Sequence, residues 1–126
     1  MRKRFDMGYM CHHAIIVTSC MEDQIEKARK MILKLQPKTS DKLIIDGGNW
    51  VSPISPKTTN GYRSFFIAPD GSKEGWDESN RGDSFRDKVI KILDSFAYED
   101  RSTCLEYVEV QYADDGENNK VTRASK

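Results

Sequence analysis

Apolar and polar positions along the chain predict four strands. The first run, 13–18, is β-branched and apolar on both parities, which is typical of a central strand with neighbours on both sides. An aromatic-rich run follows the turn signal Asn60-Gly61, and the last run alternates between apolar and polar residues. Pro53 and Pro56 cannot donate to a sheet ladder, so the run that contains them is expected at an edge. The predicted strands are 13–18, 43–55 with an interruption at 46–49, 62–68 and 105–112.

Apolar residues at helical spacing predict two helices, 20–35 and 84–97. Ser19 and Glu22 match a capping box at the start of the first helix, because the hydroxyl and the carboxylate can each accept a backbone N–H. Asp83 has the residue type of an N-cap for the second helix, with a loop before it. The residues expected in the core are Val17, Ile25, Ile32, Val89, Ile92 and Phe96.

The resulting order, β-α-β-β-α-β, predicts an α+β fold. It is the ferredoxin-like split βαβ sandwich, in which right-handed crossovers place two helices on one face of a four-stranded antiparallel sheet. A single α/β domain, 12–115, is expected between a flexible lead-in, 1–11, and a disordered tail, 116–126, which has too few apolar residues to offset its ordering entropy. Aromatic residues on the second, open sheet face would form a large apolar patch. We therefore expect a ligand or a second subunit to cover that face, and the protein to be a homo-oligomer.

The charge balance limits what this fold is expected to bind. Twenty Lys and Arg residues match twenty Asp and Glu residues, so no net field draws the protein to nucleic acid or to an anionic membrane, and any anion site must be local. No apolar run approaches the roughly twenty residues that cross a bilayer, and the start of the chain is too charged for a signal peptide. Cys11, Cys20 and Cys104 lack metal or redox spacings. Reduced thiols and a cytoplasmic location are expected.

The two histidines, His12 and His13, are the first candidates for chemistry. Adjacent strand residues point to opposite faces, so they cannot chelate one ion together. A phosphoesterase of this fold would need a second histidine-containing motif, and the chain has no other histidine. The sequence therefore predicts no catalytic residues, no metal site and no cofactor, and keeps both histidines as candidate binding residues.

The segment 60–77 is the richest in candidate binding residues. It combines flat stacking surfaces with a guanidinium that can grip an anion, a hydroxyl and an amine. The candidates are Tyr62, Arg63, Ser64, Lys73 and Trp76. The alternative is structural, because aromatic residues on a strand commonly pack in the core, and this applies most to Phe65 and Phe66. These residue types are suited to binding a nucleotide-type small molecule or an acidic peptide.

The stretch 61–67 also bears a partial likeness to strand three of RNA-recognition domains, which share this element order. Asn60 stands where such domains carry a basic residue, and the first strand lacks the aromatic residue that would stack on a base. Zero net charge also argues against a nucleic-acid partner. An RNA-binding module with an RRM-like sheet is the first alternative function, and a small phosphoesterase or other hydrolase is the second.

Three segments of the chain resemble small proteins of unknown function encoded by bacteriophages and prophages. They are His12-His13-Ala14-Ile15-Ile16-Val17-Thr18-Ser19, Asn60-Gly61-Tyr62-Arg63-Ser64-Phe65-Phe66-Ile67-Ala68-Pro69-Asp70-Gly71-Ser72-Lys73-Glu74-Gly75-Trp76 and Glu106-Tyr107-Val108-Glu109-Val110-Gln111-Tyr112. The resemblance supplies no catalytic residues. Small phage accessory proteins frequently counter host defences, so it implies a cytoplasmic protein of the infected bacterial host. Such a protein would sequester a nucleotide signal or bind a host protein, without catalysis.

Overall fold

The computed structural model describes residues 10–36, 50–71, 75–113, 116 and 119–125. The helices are α1 (Glu22–Leu35) and α2 (Asp77–Asp94), and a single 3-10 turn covers Thr59–Gly61. The strands are β1 (Cys11–Ser19), β2 (Arg63–Ile67), β3 (Leu105–Ala113) and β4 (Lys120–Ala124).

The four strands form one sheet in the order β2-β1-β3-β4, and each neighbouring pair is antiparallel. In the middle of the sheet Val17 lies opposite Phe65 on one side and Tyr107 on the other. The predicted α+β fold is confirmed, and the strand order and two helices are compatible with a ferredoxin-like arrangement.

Only residues 50–55 of the predicted edge strand can be compared with the structure, because 43–49 lies outside the described residues. Residues 50–55 run along the outer side of β2 as an irregular segment joined to it by backbone hydrogen bonds. Ser52 N–H donates to the Phe66 carbonyl at 2.9 Å, and Ser55 N–H donates to the Ser64 carbonyl at 2.7 Å. Apart from the bridge between Val51 and Ile67, this segment forms no regular ladder, as expected of a stretch that contains two prolines.

The core lies between the two helices and one face of the sheet, here called the helix face. It receives alternate residues of the strands, among them Ile15, Val17, Phe65, Ile67, Leu105 and Tyr107. Among the predicted core residues, Val17, Ile25, Ile32 and Val89 are fully buried, while Ile92 and Phe96 are partly buried against the same cluster. The opposite parity of each strand forms the open face, which carries His12, Ile16, Thr18, Ser64, Phe66, Val108 and Tyr112.

The prediction of a disordered tail is wrong for Lys120–Ala124, which form β4 and pair with β3. Hydrogen bonds and an ion pair hold this strand in place. Arg123 and Thr122 both donate to the buried carboxylate of Glu109, and Tyr107 N–H donates to Ser125 Oγ at 3.0 Å. A prediction from apolar content alone misses a strand that is fixed by polar contacts.

Both helix starts differ from the predicted ones. Ser19 Oγ accepts the N–H of Met21 at 2.9 Å, and Met21 is the N-cap of α1 without a side-chain cap bond, so the predicted capping box does not form. Helix α2 begins at Asp77 and runs through Gly82, almost two turns before the predicted start. A glycine within a helix lowers propensity, but Gly82 is buried beside Asp70 and has a packing role.

We expect Gly82→Ala to lower the melting temperature, although alanine favours an exposed helix by about 1 kcal/mol over glycine. A Cβ on residue 82 would lie 3.0 Å from Cγ and 3.1 Å from Cβ of Asp70. Asp70 cannot retreat freely, because its carboxylate pairs with buried Arg86 at 3.2 Å. Thermal denaturation followed by circular dichroism checks this, with Asn80→Ala at an exposed position of α2 as the control. A Gly82→Ala protein as stable as the wild type would show that Asp70 is not tightly held.

Candidate functional site

A cavity of about 450 Å³ lies between the C-terminal half of α2 and the strands β3 and β4. We call it the α2–β4 pocket. Its apolar walls are Ile90, Leu93, Ala97 and Ala124. Its polar lining residues are Asp94, Arg101, Thr103, Tyr107, Arg123 and Ser125. The volume lies within the range of about 300–1,000 Å³ that small-molecule sites occupy, and apolar walls with few polar groups are typical of them.

The loop after α2 places Arg101 at this pocket. Tyr98 N–H donates to the Ser102 carbonyl and Arg101 N–H donates to the Tyr98 carbonyl, both at 2.8 Å, which closes a tight turn. Asp100 accepts the N–H and the hydroxyl of Ser102, and these hydrogen bonds hold the pKa of Asp100 below its usual value. Arg101 has a φ of 73°, a left-handed conformation that costs a residue with a side chain roughly 1–2 kcal/mol. Strain of this kind is often found at binding sites.

The guanidinium of Arg101 is the cation of the lining that has no ion-pair partner among the described residues. Within the described part of the chain, no carboxylate or carbonyl pairs with it. The hydroxyls of Thr103 and Ser125 are already hydrogen-bonded to the backbone of β3. Arg101 is therefore the group best able to bind an anion at the pocket.

Tyr107 and Asp94 form a fixed pair in the wall of the pocket. The Tyr107 hydroxyl donates to Asp94 Oδ1 at 2.7 Å. Burial raises the pKa of Tyr107 strongly, and the hydrogen bond and negative charge of Asp94 raise it further. The phenol consequently stays neutral and acts as a donor, not as a base or nucleophile.

Arg123 lines both the α2–β4 pocket and a second, smaller cavity. Its Nε and Nη2 each donate to a Glu109 carboxylate oxygen at 2.8 Å, and its Nη1 donates to Asp87 Oδ1 at 3.0 Å. Burial by itself raises the pKa of Glu109, but hydrogen bonds from Arg123 and Thr122 outweigh burial and leave that pKa below its usual value. The same bonds raise the pKa of Arg123. Arg123 thus bridges β4, β3 and α2, and its charge is already matched.

Arg63, the predicted anion contact, is held by other residues. Its Nη1 donates to Glu22 Oε2 at 2.8 Å and lies 3.7 Å from Glu26 Oε2. Its Nε donates to the Ser55 carbonyl at 3.0 Å. These contacts tie β2 to α1 and to the segment 50–55, so a ligand anion would compete with two glutamates for Arg63.

The two histidines lie on opposite faces of the sheet, as adjacent strand residues must. His12 lies on the open face with its ring centroid 5.1 Å from that of Tyr112. His13 lies on the helix face, where its Nε2 is 3.3 Å from Gln111 Oε1. The structure therefore does not bring the two histidines into one site.

The remaining predicted residues are also dispersed. Ser64 lies on the open face, where its hydroxyl is 2.8 Å from that of Thr18. Tyr62 precedes β2 and is 37% exposed, and the negative charges of Cys20 and Glu106 raise its pKa. Trp76 is the N-cap of α2 and is 58% exposed. Lys73 lies outside the described residues.

The open face does carry the exposed apolar patch that the element order predicts. Its exposed large apolar residues are Ile16, Phe66, Tyr112 and Val121. Phe65 and Phe66 divide between the two faces, with Phe65 buried in the core and Phe66 on the open side. A single strand thus supplies both a core aromatic and a surface aromatic.

The sequence interpretation did not single out Arg101, Asp94 or Arg123. One signal was present for Arg123: Glu109 has the same parity as Leu105 and Tyr107, so a sheet face that buries those two residues also buries a carboxylate. A buried carboxylate requires a cation, and the basic residues after β3 were candidates for it.

Within the described ranges, no helix is long and apolar enough to span a membrane, and no cluster of at least three His, Cys, Asp or Glu residues could hold a metal ion. Comparison with protein-family models, with curated proteins and with solved structures found no match.

Proposed function

We propose that this protein sequesters a small ligand with a flat apolar body and an anionic group, such as a nucleotide, in the α2–β4 pocket and without catalysis. One observation carries the proposal: an apolar cavity of about 450 Å³ is lined by a guanidinium, that of Arg101, that has no partner among the described residues. The proposal keeps the nucleotide-type ligand expected from the sequence and moves its anion contact from Arg63 to Arg101.

The chemistry of the lining supports this ligand class. Ile90, Leu93 and Ala97 offer an apolar surface on which a ring can be buried. Arg101 can bind a phosphate or carboxylate through two parallel N–H donors, which fixes orientation as well as adding affinity. The overall charge of the chain is zero, so the attraction for an anion is local to this loop.

The residues that line the α2–β4 pocket are better suited to binding a ligand than to catalysing its turnover. Tyr107 is held as a neutral donor to Asp94, and Arg123 is bonded to Glu109 and Asp87. The lining residues include no nucleophile paired with a base, which an acyl- or phosphoryl-transfer enzyme would need. The resemblance to phage-encoded proteins supports the proposed biological role. In that role an accessory protein binds a nucleotide signal and so keeps it from a host defence system.

Arg101→Asn tests the pocket directly. Asparagine tolerates a positive φ, so this change removes the guanidinium without adding backbone strain. Charge-assisted hydrogen bonds contribute about 1.5–3 kcal/mol, so we expect roughly ten- to hundredfold weaker binding. The measurement is isothermal titration calorimetry with the tightest binder from a panel of mononucleotides and cyclic dinucleotides.

Arg81→Asn is the matched control, because Arg81 is an exposed arginine of α2 that does not line the pocket. It should bind like the wild type. The bound nucleotide should also be recovered intact after denaturation. Unchanged affinity in Arg101→Asn would rule out this site, and recovery of a hydrolysed nucleotide would favour the hydrolase alternative.

The exposed aromatic residues of the open face favour a second candidate function, RNA binding on the sheet. Phe66 is 44% and Tyr112 is 40% exposed, and His12 lies beside Tyr112. Bases can stack on such side chains. Exposed Glu106 on the same face opposes a polyanion. An affinity for single-stranded RNA that falls steeply with salt and is lost in Phe66→Ala would favour this candidate.

A further inference from the structure

Two of the three cysteines are brought together at the end of the sheet where β1 ends and β3 begins. Ser19 and Leu105 are the last paired residues of these two strands. Cys20 follows Ser19 and Cys104 precedes Leu105, so one further step in the antiparallel register sets the two cysteines opposite each other. Residues directly opposite in such a pair have Cβ atoms about 4.5–5.5 Å apart. The two cysteines are distant in the chain, so their spacing in the sequence gives no sign of this arrangement.

The hydroxyl of Tyr62 gives a second indication that both thiols lie at one place. Tyr62 immediately precedes Arg63, the residue of β2 that lies opposite Ser19, so it extends the same row across the sheet. The negative charge of Cys20 raises the pKa of Tyr62 most, a hydrogen bond with Cys20 adds to this, and the charge of Cys104 acts in the same direction. A single phenol is therefore near both cysteines.

Tyr98 holds Cys104 in position. Its hydroxyl donates to Cys104 Sγ at 3.7 Å and accepts a hydrogen bond from Gln24 Nε2 at 3.3 Å. The backbone of Tyr98 is fixed in turn by the hydrogen bond from its N–H to the Ser102 carbonyl. Cys20 is exposed, whereas Cys104 is only partly exposed. A dissolved reagent therefore meets Cys20 first, and Cys104 lies beside it.

We propose that Cys20 and Cys104 form a dithiol site that reacts reversibly with a low-molecular-weight disulfide, such as glutathione disulfide, and closes to a Cys20–Cys104 disulfide. The Cβ atoms of a disulfide lie about 3.5–4.5 Å apart, so the two residues need to approach by about 1 Å. Both lie just outside the regular strands, so this movement breaks no pairing between β1 and β3. The site is separate from ligand binding in the α2–β4 pocket.

The reaction takes place in two exchange steps. The Cys20 thiolate attacks one sulfur of the small disulfide, whose S–S bond breaks, so that a mixed disulfide forms and one small thiolate leaves. The Cys104 thiolate then attacks Cys20 Sγ, the Cys20–Cys104 bond forms, and the second small thiolate leaves. The protein loses two electrons and two protons, and the small disulfide takes them up to become two thiols.

The test treats the full-length protein with glutathione disulfide at low protein concentration. Titration of free thiols after denaturation should fall from three per molecule to one, that of Cys11. Mass spectrometry of a digest made without reduction should show the Cys20 peptide linked to the Cys104 peptide, and dithiothreitol should restore all three thiols. Closure should be at least about tenfold faster in native buffer than in concentrated urea, because the folded sheet raises the effective concentration of one thiol at the other.

Two variants complete the experiment. Cys11→Ser is the control and should form the same cross-link as the wild type. Cys104→Ser should stop at the mixed disulfide on Cys20. Mixed disulfides without a cross-link in the wild type would overturn the proposal, as would a cross-link to Cys11 or disulfide-linked dimers as the main product. Closure that is equally fast in urea would show that the sheet does not bring Cys20 and Cys104 together.

Discussion

Replacement of Arg86 by methionine is expected to lower the free energy of unfolding by about 3–5 kcal/mol, the usual cost of removing one partner of a buried ion pair. Methionine fills much of the space of the arginine side chain. It leaves the carboxylate of Asp70, which is 7% exposed, without the cation that lies 3.2 Å away. The destabilisation should therefore come from loss of the positive charge beside Asp70 more than from lost packing. Urea denaturation at neutral pH measures it.

Two further variants identify the cause. Arg81→Met removes an exposed arginine of the same helix, one that pairs with Glu78 across the surface, and should change stability by less than about 1 kcal/mol. Asp70→Asn added to Arg86→Met should recover part of the loss, because it removes the buried negative charge that faces Arg86 in the wild type. If the double variant is no more stable than Arg86→Met, the loss is one of packing.

Replacement of Arg123 by methionine is expected to cost about 3 kcal/mol at pH 7, the low end of the same range, because Arg123 is itself 36% exposed. The variant leaves Glu109, whose side chain is 4% exposed, without its cation and removes the link from β4 to α2. The folded-state pKa of Glu109 lies below its ordinary value of 4.5. Its contribution to stability is therefore present above the unfolded-state pKa and is lost as the pH falls through the folded-state pKa.

This sign predicts that wild type and Arg123→Met differ most at neutral pH and that the difference shrinks as the pH falls towards the folded-state pKa of Glu109. Urea denaturation at pH 7 and at pH 3 measures the difference. Lys120→Met, an exposed cation of the same strand, is the control and should be nearly neutral at both pH values. A difference that is the same at pH 7 and pH 3 would show that Arg123 acts through packing and not through its charge.

The parts of the fold that follow from sequence are those encoded by local apolar periodicity. β3 and α1 were predictable because each repeats its apolar residues with the period of its own element. β1 was predictable as a run that is apolar on both parities, and β2 as an aromatic-rich run after a turn signal. The order of elements then limits the sheet topology. β4 was not predictable in this way, since Thr122 and Arg123 are fixed by Glu109, a residue of another strand. The start of α2 was obscured by Gly82, a residue type that is unfavourable within helices. Glycine is needed there because a larger side chain would meet Asp70.

The candidate site was less predictable than the fold, for a related reason. Tyr62, Arg63 and Trp76 have residue types suited to binding, but residue type does not reveal whether a side chain already has a partner. Arg63 is paired with two glutamates of α1. Arg101 has no such pair among the described residues, although Asp94 lines the same pocket. Pairing of this kind depends on tertiary distances, which apolar periodicity does not encode.

The prolines beside β2 affect how copies of this protein can meet. Ser52 and Ser55 donate their amides to β2, while the residues that follow them, Pro53 and Pro56, have no N–H to offer an incoming strand. At the other margin the short strand β4 carries Lys120 and Arg123, and charged residues discourage pairing with another chain. Open-ended growth by strand addition, the route to fibrils, is therefore opposed at both margins. The homo-oligomer predicted from the sequence would therefore form through the apolar open face and not through a sheet edge.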